Sequence, residues 1–348
     1  MSSSPASHHQ ALVIAEKGAS HSLVSRVTSQ PGPGQLLVEV KAIALNPVDA
    51  VQRDSGFLIS KYPTVLGSDV AGIVISVGPD VPLDTPQPGT RVAAYATAYF
   101  HQGEADFGAF QQFVIVGVEK VAPLPDSISF CEGSILPMSV SVALSGWNVL
   151  GIPRDTAYSS EDREGILIWG ASTSVGTAAV QSAKSMGYHV YATSSPRHHQ
   201  YLKTLGADRV FNYNSDDVVS EIVNSVKEDD VTLHQCFLGR GSLEPIASIL
   251  KQLKGTRNAK VASAPLIPEE AKKLDGVDII FILTPRDPKA SYDYFRWAFV
   301  EWLKEKLAAD DYIPSPHLKV VGRGLESIDN ALDGLKQGVS GTKLVVEL

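Results

Sequence analysis

The feature that most constrains the fold is an apolar run that ends in a glycine-bounded turn. Ile166-Leu167-Ile168-Trp169 is apolar throughout, and the turn Gly170–Gly176 follows it directly. Small residues continue from Thr177 to Lys184 in a composition that suits a helix. A short apolar run that leads into a helix is typical of a buried parallel strand. The stretch therefore predicts a strand–turn–helix unit that needs further strands beside it.

The beginning of that helix is a predicted binding site for a diphosphate. Free N–H groups and the positive end of the helix dipole favour an anion at this position. The candidate contacts are the consecutive residues Thr173, Ser174, Val175 and Gly176. The usual G-x-G-x-x-G spacing of dinucleotide sites is broken, because Ser172 and Thr173 stand where glycines are common. The strand–turn–helix context still favours a dinucleotide.

The next apolar run ends without an acidic residue. Residues 188–193 form a second candidate strand, and it is followed by Ser194, Ser195, Arg197 and His198. A site for NAD commonly places Asp or Glu at this point to hold the ribose 2′-hydroxyl. Hydroxyl groups, an Arg and a protonated His would instead bind a 2′-phosphate through charge-assisted hydrogen bonds. The sequence therefore predicts NADPH as the cofactor, with a solvated basic turn as the alternative.

Length and composition bound the class of protein. The 348 residues, 44% of them hydrophobic, favour two globular domains. The net charge of -8, with no basic block, predicts no nucleic-acid partner. No apolar run reaches the length of a membrane span and residues 1–10 lack a signal-peptide core, so we expect no membrane association. Two cysteines, Cys131 and Cys236, suit a reducing, cytoplasmic compartment.

Changes of pattern along the chain predict an α/β fold with two domains. Residues 11–120 contain short strands broken by turns, whereas strands alternate with helices from 165 to 285. The candidate strands of the second part are 166–169, 188–193, 209–212, 232–238, 259–263 and 277–283. We predict a doubly wound parallel Rossmann sheet over residues 146–289. A β-domain would comprise residues 1–145 and 290–348, because the terminal run 343–348 resembles the strands of the first part.

Several separated motifs together resemble the medium-chain dehydrogenase/reductase superfamily. They occur in the order of that family and are Asn46-Pro47-Val48-Asp49, Leu66–Gly72, Gly108–Phe113, Leu136-Pro137, Gly170–Gly176, Leu205–Asp208 and Ser340–Val345. The resemblance implies that the β-domain is a GroES-like, partly closed β-barrel. The turn Gly170–Gly176, together with Ser195-Pro196-Arg197, is similar to a fungal branch of the superfamily. That branch includes trans-acting enoyl reductases that work with polyketide synthases.

The ligand positions of the zinc-dependent members are not kept in this chain. Those members carry Gly-His-Glu where this chain has Gly67-Ser68-Asp69, so Ser68 stands at the position of a His ligand. The position of a ligand cysteine falls within Asn46–Asp49, and the structural lobe with four cysteines is missing. Tetrahedral zinc needs three or four converging ligands. We therefore predict a zinc-independent oxidoreductase without a metal site.

The missing zinc ligands favour reduction of an activated C=C bond. An α,β-unsaturated carbonyl accepts hydride at Cβ, and hydrogen-bond donors stabilise the enolate oxygen before Cα is protonated. The resemblance implies Ser141 and Asp49 as catalytic candidates, and it also places Asp49 near the nicotinamide. No proton donor is assigned, because the Lys of the polyketide branch is Val51 here and the Tyr of mitochondrial enoyl reductases is Ser55.

The resemblance also implies a set of contacts with the substrate and the cofactor. The implied substrate contacts are Leu136, Met138, Ser139, Phe281, Leu283 and Thr284. The implied cofactor contacts are Tyr213, beside the adenine, and Val339 and Ser340 in a second turn. The alternatives are structural: buried serines can bond back to the helix backbone, and an aromatic residue at a strand end can simply pack.

Three functions remain open from the sequence. The first is an NADPH-dependent reductase of an activated C=C bond in fungal secondary metabolism. Its substrate would be a small-molecule or carrier-bound enoyl group, and a polyketide synthase would be its partner. The second is a quinone or small-enone reductase that acts on free substrates. The third is a non-catalytic NADPH-binding protein. The chain is expected to be a monomer or a homodimer.

Overall fold

The structure is a computed structural model that describes residues 7–269 and 276–348. The chain forms two compact units. The first comprises Met1–Met138 and Arg286–Leu348, and the second comprises Ser139–Pro285. Each unit has its own β-sheet and its own buried core, so each is described separately.

The strands of the described residues are numbered in chain order. They are β1 (His8–Val13), β2 (Ser22–Val27), β3 (Gln35–Ala44), β4 (Asp69–Val77), β5 (Arg91–Tyr95), β6 (Phe113–Gly117), β7 (Val121–Pro123), β8 (Glu164–Trp169), β9 (His189–Ser194), β10 (Arg209–Asn212), β11 (Thr232–Leu238), β12 (Ala259–Ser263), β13 (Val277–Phe281), β14 (His317–Arg323) and β15 (Thr342–Glu347).

The α-helices are α1 (Pro47–Ser55), α2 (Phe130–Ser134), α3 (Pro137–Leu150), α4 (Ser174–Ser185), α5 (His199–Thr204), α6 (Val218–Glu228), α7 (Glu244–Leu253), α8 (Pro288–Phe295), α9 (Lys304–Ala308) and α10 (Ile328–Lys336). Short 3₁₀ turns cover Ala98–His101, Ala105–Phe107, Val118–Lys120, Pro196–His198 and Leu325–Ser327. A π-helical segment, Arg296–Leu303, joins α8 to α9.

The second unit contains a six-stranded sheet in the order β10-β9-β8-β11-β12-β13. All five neighbouring pairs are parallel. The strand order reverses between β8 and β11, which makes that position the topological switch point of a doubly wound sheet. Apolar residues of β8 and β11 pack with α6 and α7 in one buried cluster. The predicted Rossmann sheet is therefore confirmed, and its six strands lie where the alternating pattern indicated.

The first unit contains a mostly antiparallel sheet in the order β14-β15-β3-β4-β5-β7, with β6 beside β3. Strand β15 comes from the end of the chain and pairs with β3 from its beginning. The sheet is therefore built from both ends of the chain, as the apolar terminal run indicated. Strands β1 and β2 form a separate antiparallel pair. A large apolar cluster, which includes residues of β3, β4, β6 and β15, fills this unit.

The stretch Phe130–Leu150 corrects one statement from the sequence. By length and composition this stretch is apolar enough to span a membrane. However, 78% of its most apolar part is buried inside the protein, as in the core helix of a globular domain. The expectation that no apolar run reaches membrane-span length is wrong here, because α2 and α3 follow each other directly and together reach that length despite Glu132 and Asn148.

Gly72 fixes how closely β3 and β4 approach each other. The pairing of these strands shifts register beside Gly72, between Val40 and Ala42. A Cβ atom on Gly72 would lie 2.0 Å from the backbone oxygen of Glu39. Gly334, in α10, has no atom within 4 Å of the corresponding position.

We predict that Gly72→Ala lowers the free energy of unfolding by about 2–3 kcal/mol, because the backbone of β3 must move away. The control Gly334→Ala should raise it by up to about 1 kcal/mol, since alanine favours a helix more than glycine does. Urea unfolding of both variants measures the difference. Equal effects of the two substitutions would contradict the role given to Gly72.

Candidate functional site

The turn after β8 is organised around Thr173, which caps α4. Its Oγ1 accepts a hydrogen bond from the Gly176 N–H at 3.0 Å and donates one to the Gly170 oxygen at 2.9 Å. The N–H groups of Ser174 and Val175 lie in the first turn of α4, where a helix offers no internal acceptor. Both residues are partly exposed. The turn therefore presents two backbone donors at a helix N-terminus.

The backbone packs so closely in this turn that a side chain at Gly170 or Gly176 would fill the space. A Cβ atom on Gly176 would lie 2.5 Å from the Gly170 oxygen and 2.8 Å from the Ala171 Cα. Gly170 has a φ of +74°, and a Cβ atom there would lie 2.5 Å from the Arg240 oxygen. Only glycine fits these two positions without a shift of the backbone. Open N–H groups in a glycine-lined cradle fit the diphosphate of a dinucleotide.

Thr193 ties the turn to the end of β9. Its Oγ1 accepts a hydrogen bond from the Gly170 N–H at 3.1 Å, and its carbonyl oxygen accepts one from the Ala171 N–H at 2.9 Å. The residues that follow β9 are thereby held beside the turn after β8. The predicted phosphate turn and the predicted 2′-phosphate segment consequently lie next to each other.

The predicted 2′-phosphate residues differ in their exposure. Ser194 is fully buried, and its Oγ donates to the Ser195 oxygen at 3.1 Å. Arg197 is exposed, and its Nε donates to Nε2 of His198 at 3.2 Å. Ser195 and His198 are partly exposed. Ser195, Arg197 and His198 therefore offer donors at the surface of this segment, whereas the Ser194 hydroxyl points into the protein.

Tyr213 lies at the same edge of the sheet. It follows β10, and the last residue of that strand, Asn212, pairs with Ser194 of β9. The Tyr213 side chain is 44% exposed. The structure thus brings Tyr213 beside the segment that follows β9, and its contact with adenine stays a prediction.

The loop after β11 belongs to this site, although the sequence analysis did not include it. The Gly239 N–H donates to the Trp169 oxygen at 2.8 Å, which joins the ends of β11 and β8. A Cβ atom on Gly239 would lie 2.6 Å from the Thr173 Oγ1. A second glycine, Gly241, follows with a φ of +131°. The two glycines after an apolar strand were the sequence signal that could have indicated this loop. Its contact with the turn after β8 depends on the tertiary structure.

The predicted substrate residues of the second unit lie on two different elements, the end of β13 and helix α3. Phe281, Leu283 and Thr284 lie at the end of β13, at the opposite edge of the sheet from β10. Leu283 is 45% exposed, whereas Phe281 and Thr284 are partly buried. Ser139 and Ser141, on α3, are each 1% exposed, and both have interaction partners. A catalytic role for Ser141 stays a prediction.

The first unit contains a buried polar cluster around Lys343. The Lys343 Nζ donates to Asp69 Oδ2 at 3.1 Å and also to Asn46 Oδ1. The Asn46 Nδ2 donates to the same Asp69 oxygen at 3.0 Å, and the Met138 N–H donates to Asp69 Oδ1 at 2.7 Å. Asp69 and Lys343 are almost fully buried. The motifs contained these residues, but nothing in the sequence showed that they would meet.

Asp49 lies beside this cluster with a perturbed carboxyl group. Asp49 is fully buried and accepts a hydrogen bond from the Asn46 N–H on Oδ2 at 2.7 Å. Its Oδ1 has no hydrogen-bond partner among the described residues. Burial raises the pKa of Asp49 to about 7, and the negative charge of Asp69 adds to this, while the Asn46 N–H and Lys343 oppose it. The carboxyl can therefore hold or release a proton near neutral pH.

Two tyrosines extend the polar cluster and were missed by the sequence analysis. Tyr95 is the cross-strand neighbour of Asp69, and its hydroxyl shares a hydrogen bond with that of Tyr99. Burial raises the pKa of both hydroxyls, and nearby Asp69 adds to the effect. Both phenols therefore remain protonated at neutral pH. No motif marks the pair, because its position depends on the register of β4 and β5.

The remaining predicted residues of the first unit lie in different environments. Leu136 is fully buried, whereas Met138 is partly exposed. Val339 packs against the large apolar cluster of this unit, and Ser340 is exposed in the turn between α10 and β15. Contacts of these four residues with substrate or cofactor stay predictions.

The described residues contain no group of three or more His, Cys, Asp or Glu side chains that could hold a metal ion. Ser68 is fully buried, and its Oγ has no partner within that part of the chain. Cys131 and Cys236 are not bonded to each other. The hydroxyl of Ser68 is not the imidazole ligand that zinc prefers, and Asn46–Asp49 contains no thiol.

Two family models match the chain. One describes an alcohol dehydrogenase GroES-like domain and matches residues 32–126. The other describes a zinc-binding dehydrogenase and matches residues 174–252. The two matches lie in the first and the second unit, respectively.

Curated relatives resemble the chain along most of its length. The chain is 46% identical over 346 residues to the trans-enoyl reductase tndF of Aspergillus flavipes, which covers 99% of this chain and 100% of the relative. It is 47% identical over 277 residues to the trans-enoyl reductase tazE of Aspergillus terreus, which covers 78% of this chain and 91% of the relative. Among solved structures, CurK enoyl reductase matches with a TM-score of 0.75 at 22% identity, over 97% of this chain and 99% of that one. This last match supports the fold.

We predict that the Asp49 carboxyl makes the stability of the protein depend on pH. Its pKa is about 7 in the folded protein against an ordinary value of 3.8, so the folded state holds a proton that the unfolded state has lost. Its contribution to stability therefore falls as the pH rises from about 4 to about 7.

Asp49→Asn removes this titration and retains an oxygen that can accept the Asn46 N–H. Relative to the unmodified protein, the variant should gain stability between pH 4 and pH 8, by up to about 4 kcal/mol. Urea unfolding at several pH values measures this gain. The same stability difference at pH 4 and pH 8 would show that Asp49 does not titrate in this range.

Proposed function

The chain belongs to the medium-chain dehydrogenase/reductase superfamily, and within it to the family of fungal trans-enoyl reductases; from this premise we propose that it is an NADPH-dependent enoyl reductase. Its substrate is the activated C=C bond of an enoyl thioester in fungal secondary metabolism. The observation that carries the proposal is 46% identity over 99% of the chain to a trans-enoyl reductase. An intermediate bound to a polyketide synthase is the proposed natural substrate, with the synthase as partner.

The preference for NADPH is supported by the residues that follow β9. The segment 189–204 contains no Asp or Glu that would repel a 2′-phosphate. Arg197 is exposed there, with Ser195 and His198 beside it. We propose that these three residues bind the 2′-phosphate, because a guanidinium and neighbouring donors form charge-assisted hydrogen bonds with it. Tyr213 would lie beside the adenine.

The diphosphate is proposed to bind at the beginning of α4. The backbone N–H groups of Ser174 and Val175 would donate to it, and Gly170 and Gly176 leave room for its approach. Thr173 does not need to contact the cofactor, because its hydroxyl is already engaged as the helix cap. Its role is to hold the turn in shape.

The proposed reaction requires a hydride donor and a proton donor, since the enoyl C=C bond gains one hydride and one proton. When bound, NADPH supplies the hydride that the β-carbon of the enoyl group accepts. Asp49 is the proposed acid, because a carboxyl whose pKa lies near neutral pH can hold a proton and release it. The proposed mechanism is independent of zinc, and this is supported by Ser68 at the position of a His ligand and by the absence of Cys from Asn46–Asp49. Two unpaired cysteines suit a cytoplasmic location.

The decisive experiment follows deuterium from NADPH labelled at C4. The purified protein is offered an enoyl thioester, a free enone and a quinone in separate reactions. We expect the fastest turnover with the thioester, deuterium at its Cβ, and a solvent proton at Cα. A quinone should react more slowly, because it lacks the acyl chain and the thioester of the proposed substrate.

The other outcomes each identify a different function. Deuterium on a carbinol carbon would show a carbonyl reductase. Preference for the free enone or the quinone would favour the small-molecule reductase. Binding of NADPH without label transfer to any acceptor would favour the non-catalytic protein. Each of these three results contradicts the proposal.

We predict that Arg197→Ala weakens NADPH binding by about 10- to 100-fold and leaves NADH binding nearly unchanged. The reason is that only NADPH carries the 2′-phosphate that the guanidinium would bind. Lys203→Ala, a nearby substitution that also removes one positive charge from the second unit, is the control and should change neither affinity. Fluorescence titration with both cofactors measures the effect. Equal affinity of the unmodified protein for NADPH and NADH would contradict the assignment.

A further inference from the structure

Arg240 occupies the topological switch point of the six-stranded sheet. It follows β11, and Gly170 follows β8, the two strands between which the strand order reverses. Dinucleotides bind in the crevice outside the carboxyl ends of the strands at such a point. Arg240 therefore stands where a bound dinucleotide would pass, on the opposite side of β8 from Arg197.

Backbone contacts hold the Arg240 loop against the phosphate turn. The position of a Cβ atom on Gly170 is 2.5 Å from the Arg240 oxygen and 2.8 Å from its nitrogen. Gly239 precedes Arg240, and a Cβ atom on Gly239 would lie 2.6 Å from the Thr173 Oγ1. The loop and the turn that begins α4 are thus in direct contact. Arg240 is anchored close to the N–H groups of Ser174 and Val175 without being part of their helix.

The Arg240 side chain is exposed and has no partner among the described residues. This distinguishes it from other arginines of the same unit. Arg163 pairs with Asp230, Arg209 with Asp229 at 2.6 Å, and Arg257 with Glu164 at 2.7 Å. An unpaired guanidinium on an anchored loop is available for an anion from outside the protein.

We propose that Arg240 binds the diphosphate of the dinucleotide, as a cation that supplements the backbone N–H groups of α4. This inference rests on the proposed function, because it assumes that the second unit binds NADPH. Arg197 and Arg240 follow strands on the two sides of β8 and therefore serve different phosphates. Arg197 discriminates between NADPH and NADH, whereas Arg240 binds a group that both cofactors share.

The two roles predict different patterns of affinity. Arg240→Ala should weaken the binding of NADPH and NADH by the same factor, about 10- to 100-fold. ADP-ribose, which carries the diphosphate without nicotinamide, should lose affinity by that factor too. Adenosine 2′-monophosphate, which has no diphosphate, should bind as it does to the unmodified protein. Arg240→Lys should recover part of the affinity, because it keeps the charge and loses the bidentate geometry.

The experiment is isothermal titration of the full chain with each of these four nucleotides. Arg163→Ala is the matched control, since Arg163 is also an exposed arginine but precedes β8, at the amino end of that strand. It should leave all four affinities unchanged. Thermal unfolding of each variant establishes that the fold is intact. No turnover is needed for this measurement, so it is independent of the identity of the substrate.

The outcomes separate this inference from the proposed function. If the unmodified protein binds neither cofactor, the proposed function fails and the assignment of Arg240 fails with it. If the unmodified protein binds NADPH, and Arg240→Ala binds each of the four nucleotides as tightly as the unmodified protein does, only the assignment of Arg240 is wrong.

Discussion

Backbone contact that only glycine permits is the constraint on which the dinucleotide-binding unit depends. Three loop segments meet at the carboxyl edge of the sheet, after β8, β9 and β11. Gly170 lies against the backbone of Arg240, and Gly176 lies against that of Gly170. Thr193 and Thr173 then fix the turn by hydrogen bonds to its backbone. Because Gly170 and Gly176 carry no side chains, the N–H groups at the beginning of α4 are open to the approach of a phosphate.

A buried charge imposes a comparable constraint on the first unit. Lys343 comes from the terminal strand, and its ammonium group is almost fully buried beside Asp69 and Asn46. A buried ammonium without a partner would cost several kcal/mol, so the terminal strand is stable only where these partners are present. This requirement links the end of the chain to β4 and to the beginning of α1. It also raises the local polarity around Asp49.

The chemistry available in the first unit differs from that of a metal centre. Asp49 titrates near neutral pH because it is buried, and the phenols of Tyr95 and Tyr99 keep their protons for the same reason. The unit therefore contains one carboxyl whose pKa lies near physiological pH and two neutral phenols that share a hydrogen bond. The proposed reduction of a conjugated C=C bond needs a proton source, the role proposed for Asp49, and a hydrogen-bond donor for an enolate oxygen.

The sequence by itself determined the parallel sheet, its six strands and the acid-free segment after β9. Each of these is a local property: apolar runs of strand length, glycine at the turns, and the absence of Asp or Glu from one segment. The sequence did not indicate that Lys343 would meet Asp69 and Asn46, or that Tyr95 would pair with Tyr99. Those contacts join residues from different strands, and their register is set by the packing of the whole sheet. Tertiary structure likewise decided that Ser194 and Ser141 are buried and that the loop carrying Arg240 lies against the phosphate turn, because burial and loop contacts depend on neighbours distant in the chain.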